Sequence, residues 1–490
     1  MKDSLSRYIL FVYLLPVFFV LHGFTGNYNL VPVRPALKLL LIYLLAALAF
    51  LILFQMLFRN IYKAGLLSFL LMGYYFFFGA VQDMLYKAFP GAFLSRYSFI
   101  LPASLVVFIF LFIYLKKTKK PLLKTTLYLN ALFLLLVLVD TGWLISKLVI
   151  RSINEVVPKE TLARCSNCPA PDIYLIVADG YPGKTQLQEI LGYDNTAFEE
   201  QLRQRGFHIT DSSLANYNFT FFSMSSALNM NYLNGVSGSI QNKKNIPAGS
   251  RALKNNQVLG FLKVQGYHFF NYSHLDFKGN PSVAKPTFWI NDTRPLTQQT
   301  FLSRLNRDLG YHLVTTFRIK PADPFPIYLD LQNNNQLFSE TIKTVSYKST
   351  GPKFVYTHLI MPHHPYYFDS LGNKTPLSSL TKEFAFDKAA AVSYIVYANK
   401  KYLELVDMII AGSAKPPIII LISDHGFREI KEDKDKKTMF LNLDAVLFPG
   451  KDYGGFYKGM SNVNLFRVIL NSQFKQQLPL IKDSTVYLKD

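Results

Sequence analysis

Three short segments of this 490-residue chain end in side chains that can hold a metal or move a proton. "YLIVADGYPG" (174–183) carries Asp179, "YTHLIMPHHPYY" (356–367) carries His363 and His364, and "IIILISDHGF" (418–427) carries Asp424 and His425. Each polar group follows an apolar run of strand character. Singly they say little, because Asp-Gly after a strand is a common turn. Together, two carboxylates and an imidazole offer the donor set of a divalent cation, with Mn²⁺ and Zn²⁺ suited about equally. A fourth stretch, "NYNFTFFSMSSALNM" (216–230), gathers Thr220, Ser223, Ser225 and Ser226 where an apolar helix begins. Such hydroxyls can simply cap the free N–H groups of a first turn. Alternatively the oxygen of Thr220 completes a four-coordinate set with Asp179, Asp424 and His425. A hydroxyl is a poor nucleophile at its own pKa, and coordination is a direct way to activate it.

These residues need a scaffold that brings strand ends together. From about residue 171 short strands alternate with helices: "DIYLIVAD" (172–179), the helix "TAFEEQLRQRGF" (196–207) with an expected capping box from Thr196 to Glu199, and "HIT" as a further strand. They continue with the helix "QVLGFLKVQGY" (257–267), then "HFFNYS", "KFVYTHLIM" (353–361), the long helix 389–412 and the aliphatic "IIILISD" (418–424). The last has the composition of a parallel strand buried on both faces. Alternating strands and helices predict an α/β domain with a mainly parallel central sheet, whose carboxyl edge is where ligands bind.

The N-terminal part is of another kind. Apolar runs at 8–24, 36–58, 65–87, 98–115 and 124–149 approach the length of membrane-crossing helices, which predicts a five-helix transmembrane domain over 1–150, a linker over 151–170 and an outer domain over 171–490. Lys2, Arg7, Arg59, Lys63 and "KKTKKPLLK" (116–124) fall on one side of this arrangement, which should be cytoplasmic. Residues 151–490 then face the periplasm or the exterior of a cell (inner) membrane. The first 150 residues hold 14 Lys and Arg against 3 Asp and Glu, which leaves +9 of the total +20 on the remainder. A basic domain beside a membrane suits anionic headgroups. Its cations are scattered among acids without an aromatic interleave, which argues against nucleic acid. Cys165 and Cys168 in "CSNCP" read as a local disulfide, with no further ligands nearby for zinc. Asp83 and Asp140 lie inside spans, either as functional groups or paired with a neighbouring helix or with Lys87 or Arg96.

The order of membrane bundle, strand-Asp-Gly, Thr at a helix start, Pro-His-x-Pro-Tyr and strand-Asp-His-Gly resembles the alkaline phosphatase and sulfatase superfamily. Within it, the chain is similar to the membrane-anchored lipoteichoic acid synthases and phosphoethanolamine transferases. The resemblance implies that Asp179, Asp424 and His425 are metal ligands, that Thr220 is both ligand and nucleophile, and that His363, with His364 beside it, contacts the transferred group. It leaves capping and packing to Ser223, Ser225 and Ser226. "TFFSMSSALNM" follows the spacing of the sulfatase Cys-x-Pro-Ser-Arg segment but has no Cys, Pro or Arg at those places, which argues against a sulfatase. The absence of an Asp-x-x-x-His points to one metal ion rather than two. "KPTFWINDTR" (285–294) sits where relatives place substrate contacts, which suggests Trp289 and Arg294. The implied activity is transfer of a phosphoethanolamine- or phosphoglycerol-type headgroup from a membrane phospholipid to a glycan or lipid acceptor through a phosphothreonine. The alternatives are a hydrolase of phosphate or sulfate esters and a non-catalytic membrane protein of the same fold.

Overall fold

The computed structural model describes residues 7–28, 31–150, 157–240, 242, 245–284, 293–315, 328–380, 386–428 and 437–489. The chain divides into two compact units: Met1–Asn154 with Ile290–Ala322, and Glu155–Trp289 with Asp323–Asp490.

The first unit contains helices α1 (Phe11–Gly26), α2 (Val33–Phe58), α3 (Ile61–Ala88), α4 (Tyr97–Lys117) and α5 (Leu123–Ile150). Helices α2 to α5 are long and apolar enough to cross a membrane, whereas the described part of α1 is a shorter apolar helix of 16 residues. Several polar groups inside these helices are paired, as an apolar solvent favours. Asn130 of α5 accepts from Phe11 N and donates to Tyr8 O, and Asp140 lies 3.2 Å from His22 Nδ1 of α1. Asp83 of α3 pairs with neither Lys87 nor Arg96. Its partner is Arg304, at 2.5 Å, on the helix Phe301–Thr315 that belongs to the same unit.

That partnership depends on Gly79. Its N–H donates to Gln299 O at 2.8 Å, so the backbone of the later segment touches the backbone of α3. A Cβ at 79 would meet Gln299 O at 2.9 Å and Arg304 Nε at 2.5 Å, with Gln299 Oε1 nearer still. Gly79→Ala should therefore expel residues 293–304 from α3, at a cost of about 1–3 kcal/mol for overpacking. The measurement is protease cleavage after Arg294, Arg304 or Arg307 in detergent. Cleavage no faster than in the wild type would show that the contact is dispensable.

In the second unit six strands form one sheet, in the order β2-β6-β5-β1-β4-β3. They are β1 (Ile173–Ala178), β2 (His208–Ile209), β3 (His268–Tyr272), β4 (Lys353–Leu359), β5 (Ile418–Ile422) and β6 (Asp444–Leu447). The sheet is mostly parallel: β1 pairs with β4 and β5, and β3 with β4, in parallel, while β6 runs antiparallel to β5 and β2. Every residue of β1, β4 and β5 is buried, as expected for strands covered on both faces.

Side-chain alternation divides the covering helices between the two faces. Tyr174, Ile176, Val355, Ile419 and Leu421 pack with α6 (Thr196–Gln204), α9 (Leu329–Ser346) and α10 (Lys388–Gly412). Leu175, Val177, Phe354, Ile420 and Ile422 pack with α7 (Thr220–Ala227), α8 (Gln257–Val264) and α11 (Asn462–Phe474). The residues before β1 also belong to this unit: Glu160 pairs with the buried guanidinium of Arg467, and Cys165 and Cys168 are joined as a disulfide.

One local expectation changes. The capping box at Thr196 does not form. Asn195 is the N-cap residue, and its side chain is drawn into a buried network with Tyr181 Oη and Asn399, both at 2.8 Å. Thr196 Oγ1 donates instead to Asp194 at 2.6 Å, and Glu199 pairs with Arg203 at 3.2 Å.

Candidate metal and nucleophile site

Strand order explains why the three motifs meet. β4, β1 and β5 lie side by side, with Ala178 opposite Leu359 and Val177 opposite Ile422. Adjacent strands are about 4.8 Å apart, so Asp179 and the Ser423–Asp424–His425 turn leave the same edge as near neighbours. The segment after β4 delivers His363 to the same place: a Cβ on Gly180 would lie 3.4 Å from His363 Cδ2 and 3.6 Å from His425 Cε1. Gly180 adopts φ +67°, which favours glycine, and its N–H donates to Asp424 Oδ1 at 2.9 Å. Tyr181 N donates to Ser423 Oγ at 2.8 Å, tying the two turns together.

Asp179, Asp424 and His425 each direct one potential ligand atom into a group within 4.8 Å of one another. Thr220, the first residue of α7, faces the same point, with Oγ1 3.3 Å from His425 Nε2. All four are essentially buried, with exposures of 1, 0, 1 and 3% for Asp179, Asp424, His425 and Thr220. Both carboxylate oxygens of Asp179 and Oδ2 of Asp424 have no hydrogen-bond donor. Burying ionised oxygens in this way is costly unless a cation compensates them. The imidazole is set up to match: His425 Nδ1 donates to Gly426 O at 2.7 Å, which leaves Nε2 as the lone-pair atom facing the carboxylates. The residues therefore fit a divalent ion bound by two carboxylates, one imidazole and one hydroxyl.

Electrostatics point the same way. Burial alone would raise the pKa of Asp179, but His358, His363 and His425 around it hold it below the usual carboxylate range, so it stays ionised. Burial, then the charge of Arg428, push His425 down to about 4 against the opposing pull of Asp424 and Asp179, so it stays neutral at pH 7. His364 is lowered to about 4 by burial and by His363. His363 Nδ1 donates to His364 O at 2.6 Å, and both imidazoles are partly exposed at the rim.

The other hydroxyls of the helix have different employment. Ser223 Oγ donates to Asp424 O at 2.5 Å, Ser225 Oγ to Phe221 O at 2.6 Å and Ser226 Oγ to Asn231 O at 2.7 Å. None caps α7, whose N-cap residue is Phe219, with no side-chain bond. Thr220 is the member of the cluster whose hydroxyl reaches His425 Nε2, the ring nitrogen nearest the carboxylates.

Three contributors are not among the residues singled out from sequence. His358, in the middle of β4, places Nε2 3.3 Å from Asp179 Oδ2, without hydrogen-bond alignment, and Nδ1 3.1 Å from Tyr356 Oη. His274, after β3, is buried, with its pKa lowered to about 3 by burial and by His358. Arg428 lies over the ring of Phe219, 4.7 Å from its centroid. A histidine within an apolar strand was the available signal for His358. For His274 and Arg428 the signal lay only in their positions after a strand. Of the suggested substrate contacts, Trp289 lies outside the described residues, as does most of the charged run 431–437. Arg294 opens the short helix Arg294–Thr297 of the first unit rather than joining the second.

No protein-family model and no curated protein matches the chain. Among solved structures, the Zn complex of the C-terminal periplasmic domain of EcEptC from Escherichia coli aligns with 67% of this chain and 94% of its own, at 11% identity and a TM-score of 0.40. The C-terminal periplasmic domain of the phosphoethanolamine transferase EptC from Campylobacter jejuni aligns with 65% and 94%, at 12% identity and a TM-score of 0.36. A putative sulfatase from Bacteroides thetaiotaomicron aligns with 65% and 74%, at 14% identity and a TM-score of 0.40. At such distances the likeness decides nothing about chemistry, which has to come from the site.

Proposed function

We propose that the second unit is a catalytic domain of the alkaline phosphatase and sulfatase type, held at a membrane, that transfers a phospho-headgroup from a phospholipid to a glycan or lipid hydroxyl. The observation that carries this is the set of three donorless carboxylate oxygens on Asp179 and Asp424, facing His425 Nε2 and Thr220 Oγ1. A divalent ion, Mn²⁺ or Zn²⁺, bound by these four residues would lower the pKa of the Thr220 hydroxyl and draw negative charge from the phosphate.

The chain's own residues do the rest. Thr220 Oγ1 attacks phosphorus and the bond to the diacylglycerol oxygen breaks, leaving the phospho-headgroup esterified to Thr220 as a phosphothreonine diester. An acceptor hydroxyl then attacks the same phosphorus and Thr220 departs. His363, with Nδ1 committed to the His364 carbonyl, has Nε2 for proton traffic: it protonates the diacylglycerol oxygen and then takes the proton of the acceptor. His358, 3.3 Å from Asp179, helps keep it ionised. Gly180 N, which donates to Oδ1, fixes the orientation of Asp424.

The deciding experiment incubates the purified chain with phospholipids labelled in the headgroup and follows the label. Label on Thr220 and then on an added acceptor supports the transferase. Release as free phosphate ester makes the protein a hydrolase, and no protein-bound label removes the covalent step. Sidedness has its own test. A phosphatase reporter fused after residue 490 should be active and one fused near residue 120 silent, and the reverse pattern would place the domain in the cytoplasm.

A further inference from the structure

The charges at the site do not by themselves explain how it holds an anion. A divalent cation is matched by the carboxylates of Asp179 and Asp424, so the loaded cluster is formally neutral, and a phosphodiester arriving at Thr220 brings a further negative charge. A fixed positive charge is needed beside the nucleophile. Arg428 supplies one: its guanidinium stacks 4.7 Å from the centroid of Phe219, the residue immediately before Thr220, and its charge is felt at His425. Phe219 and Arg428 are both half-buried, whereas Thr220, Asp179, Asp424 and His425 are buried, so the stacked pair is reachable from solvent. Among the described residues no carboxylate pairs with Arg428.

We propose that Arg428, steered by stacking on Phe219, binds the non-bridging oxygens of the phosphoryl group while it is attached to donor, to Thr220 and to acceptor. The inference rests on the transferase reading and deepens it, by naming the group that makes the site selective for an anionic tetrahedral centre. Arginine suits the task because it cannot lose its charge and its planar fork matches two oxygens at once. The ring of Phe219 fixes the plane of that fork without neutralising it.

Phosphate binding tests this without requiring turnover. The full chain loaded with Mn²⁺ or Zn²⁺ is titrated with inorganic phosphate in a calorimeter, as wild type, Arg428→Lys, Arg428→Ala and Phe219→Leu, with metal content measured for each. Arg428→Ala should keep its metal and lose phosphate affinity on the order of ten- to a hundredfold, the range of a charge-assisted contact. Arg428→Lys should recover part of the loss, and Phe219→Leu should weaken binding less than Arg428→Ala. In turnover the same loss should appear in KM for vesicles of phosphatidylethanolamine. Unchanged phosphate affinity in metal-loaded Arg428→Ala overturns the proposal. Should Thr220→Ala stay active while Arg428→Ala loses phosphate, the covalent mechanism fails and the anion site stands.

Discussion

Thr220→Ala is expected to lower turnover by a factor on the order of 10³ or more while the second unit stays folded. The reasoning is geometric. Thr220 Oγ1 lies 3.3 Å from His425 Nε2, beside carboxylate oxygens that have no donor. The neighbouring hydroxyls cannot substitute: Ser223, Ser225 and Ser226 are each bound to a backbone carbonyl. Reaching phosphorus would require one of them to break that bond and move by ångströms, and misplacement by even about 1 Å can cost about a hundredfold. Because Thr220 makes no capping bond, its loss should change stability by no more than about 1–2 kcal/mol. Thr220→Ser should retain some turnover. Donor supplied without acceptor should leave a phosphorylated peptide containing residue 220, read by mass spectrometry. A phosphate mapped to Ser223, or wild-type rates in Thr220→Ala, would remove Thr220 from its role.

The second large effect is on metal. Asp424→Asn keeps the shape of the side chain and an oxygen to accept the Gly180 N–H, but it removes the charge. Metal affinity should fall by more than about 100-fold, since even partners outside the ligand set can cost that much, and activity should fall with it. Stability should move in opposite directions with and without metal. Stripped of metal, the wild type buries two carboxylates with three unsatisfied oxygens, so Asp424→Asn should melt higher than wild type in chelator. With metal at about 100 times its Kd, the wild type should gain roughly 2.7 kcal/mol and the variant almost nothing. Melting curves of both proteins in chelator and in metal read all four states. An equal metal-induced rise in the two proteins, or a full equivalent of metal retained by the variant, would show that Asp424 is not a ligand.

Much of this was legible in the sequence because the signals are local. The apolar runs before residue 150 announce helices that can cross a membrane, since length and apolarity are properties of one segment. "IIILI" at 418–422 reads as a buried strand for the same reason, and the polar residues just past it and past "IYLIVA" stand out because nothing in a strand interior calls for them. The Thr196 capping box shows where a local signal stops being decisive: the side chain of Asn195 has better partners in Tyr181 and Asn399, which are distant in sequence, and takes the cap position.

By itself, then, the sequence determined the two kinds of unit, the α/β class of the second and the residue types available at its strand ends. Only the tertiary structure decided which ends adjoin. The order β5-β1-β4 is set by long-range pairing, and it is this order that brings His358 against Asp179, while Arg428, past the end of β5, comes to lie over Phe219, the residue before Thr220. The choice of hydroxyl was decided in the same way. Four of them lie within seven residues, and nothing in their spacing separates a group held by a carbonyl from one facing two buried carboxylates. That distinction arises when α7 packs against the sheet through Met224 and Leu228, which turns Thr220 toward the edge where β1 and β5 end and Ser223 toward the carbonyl of Asp424. The docking of 293–315 at Gly79 follows the same rule, since a missing Cβ acquires meaning only from the atoms that occupy its place.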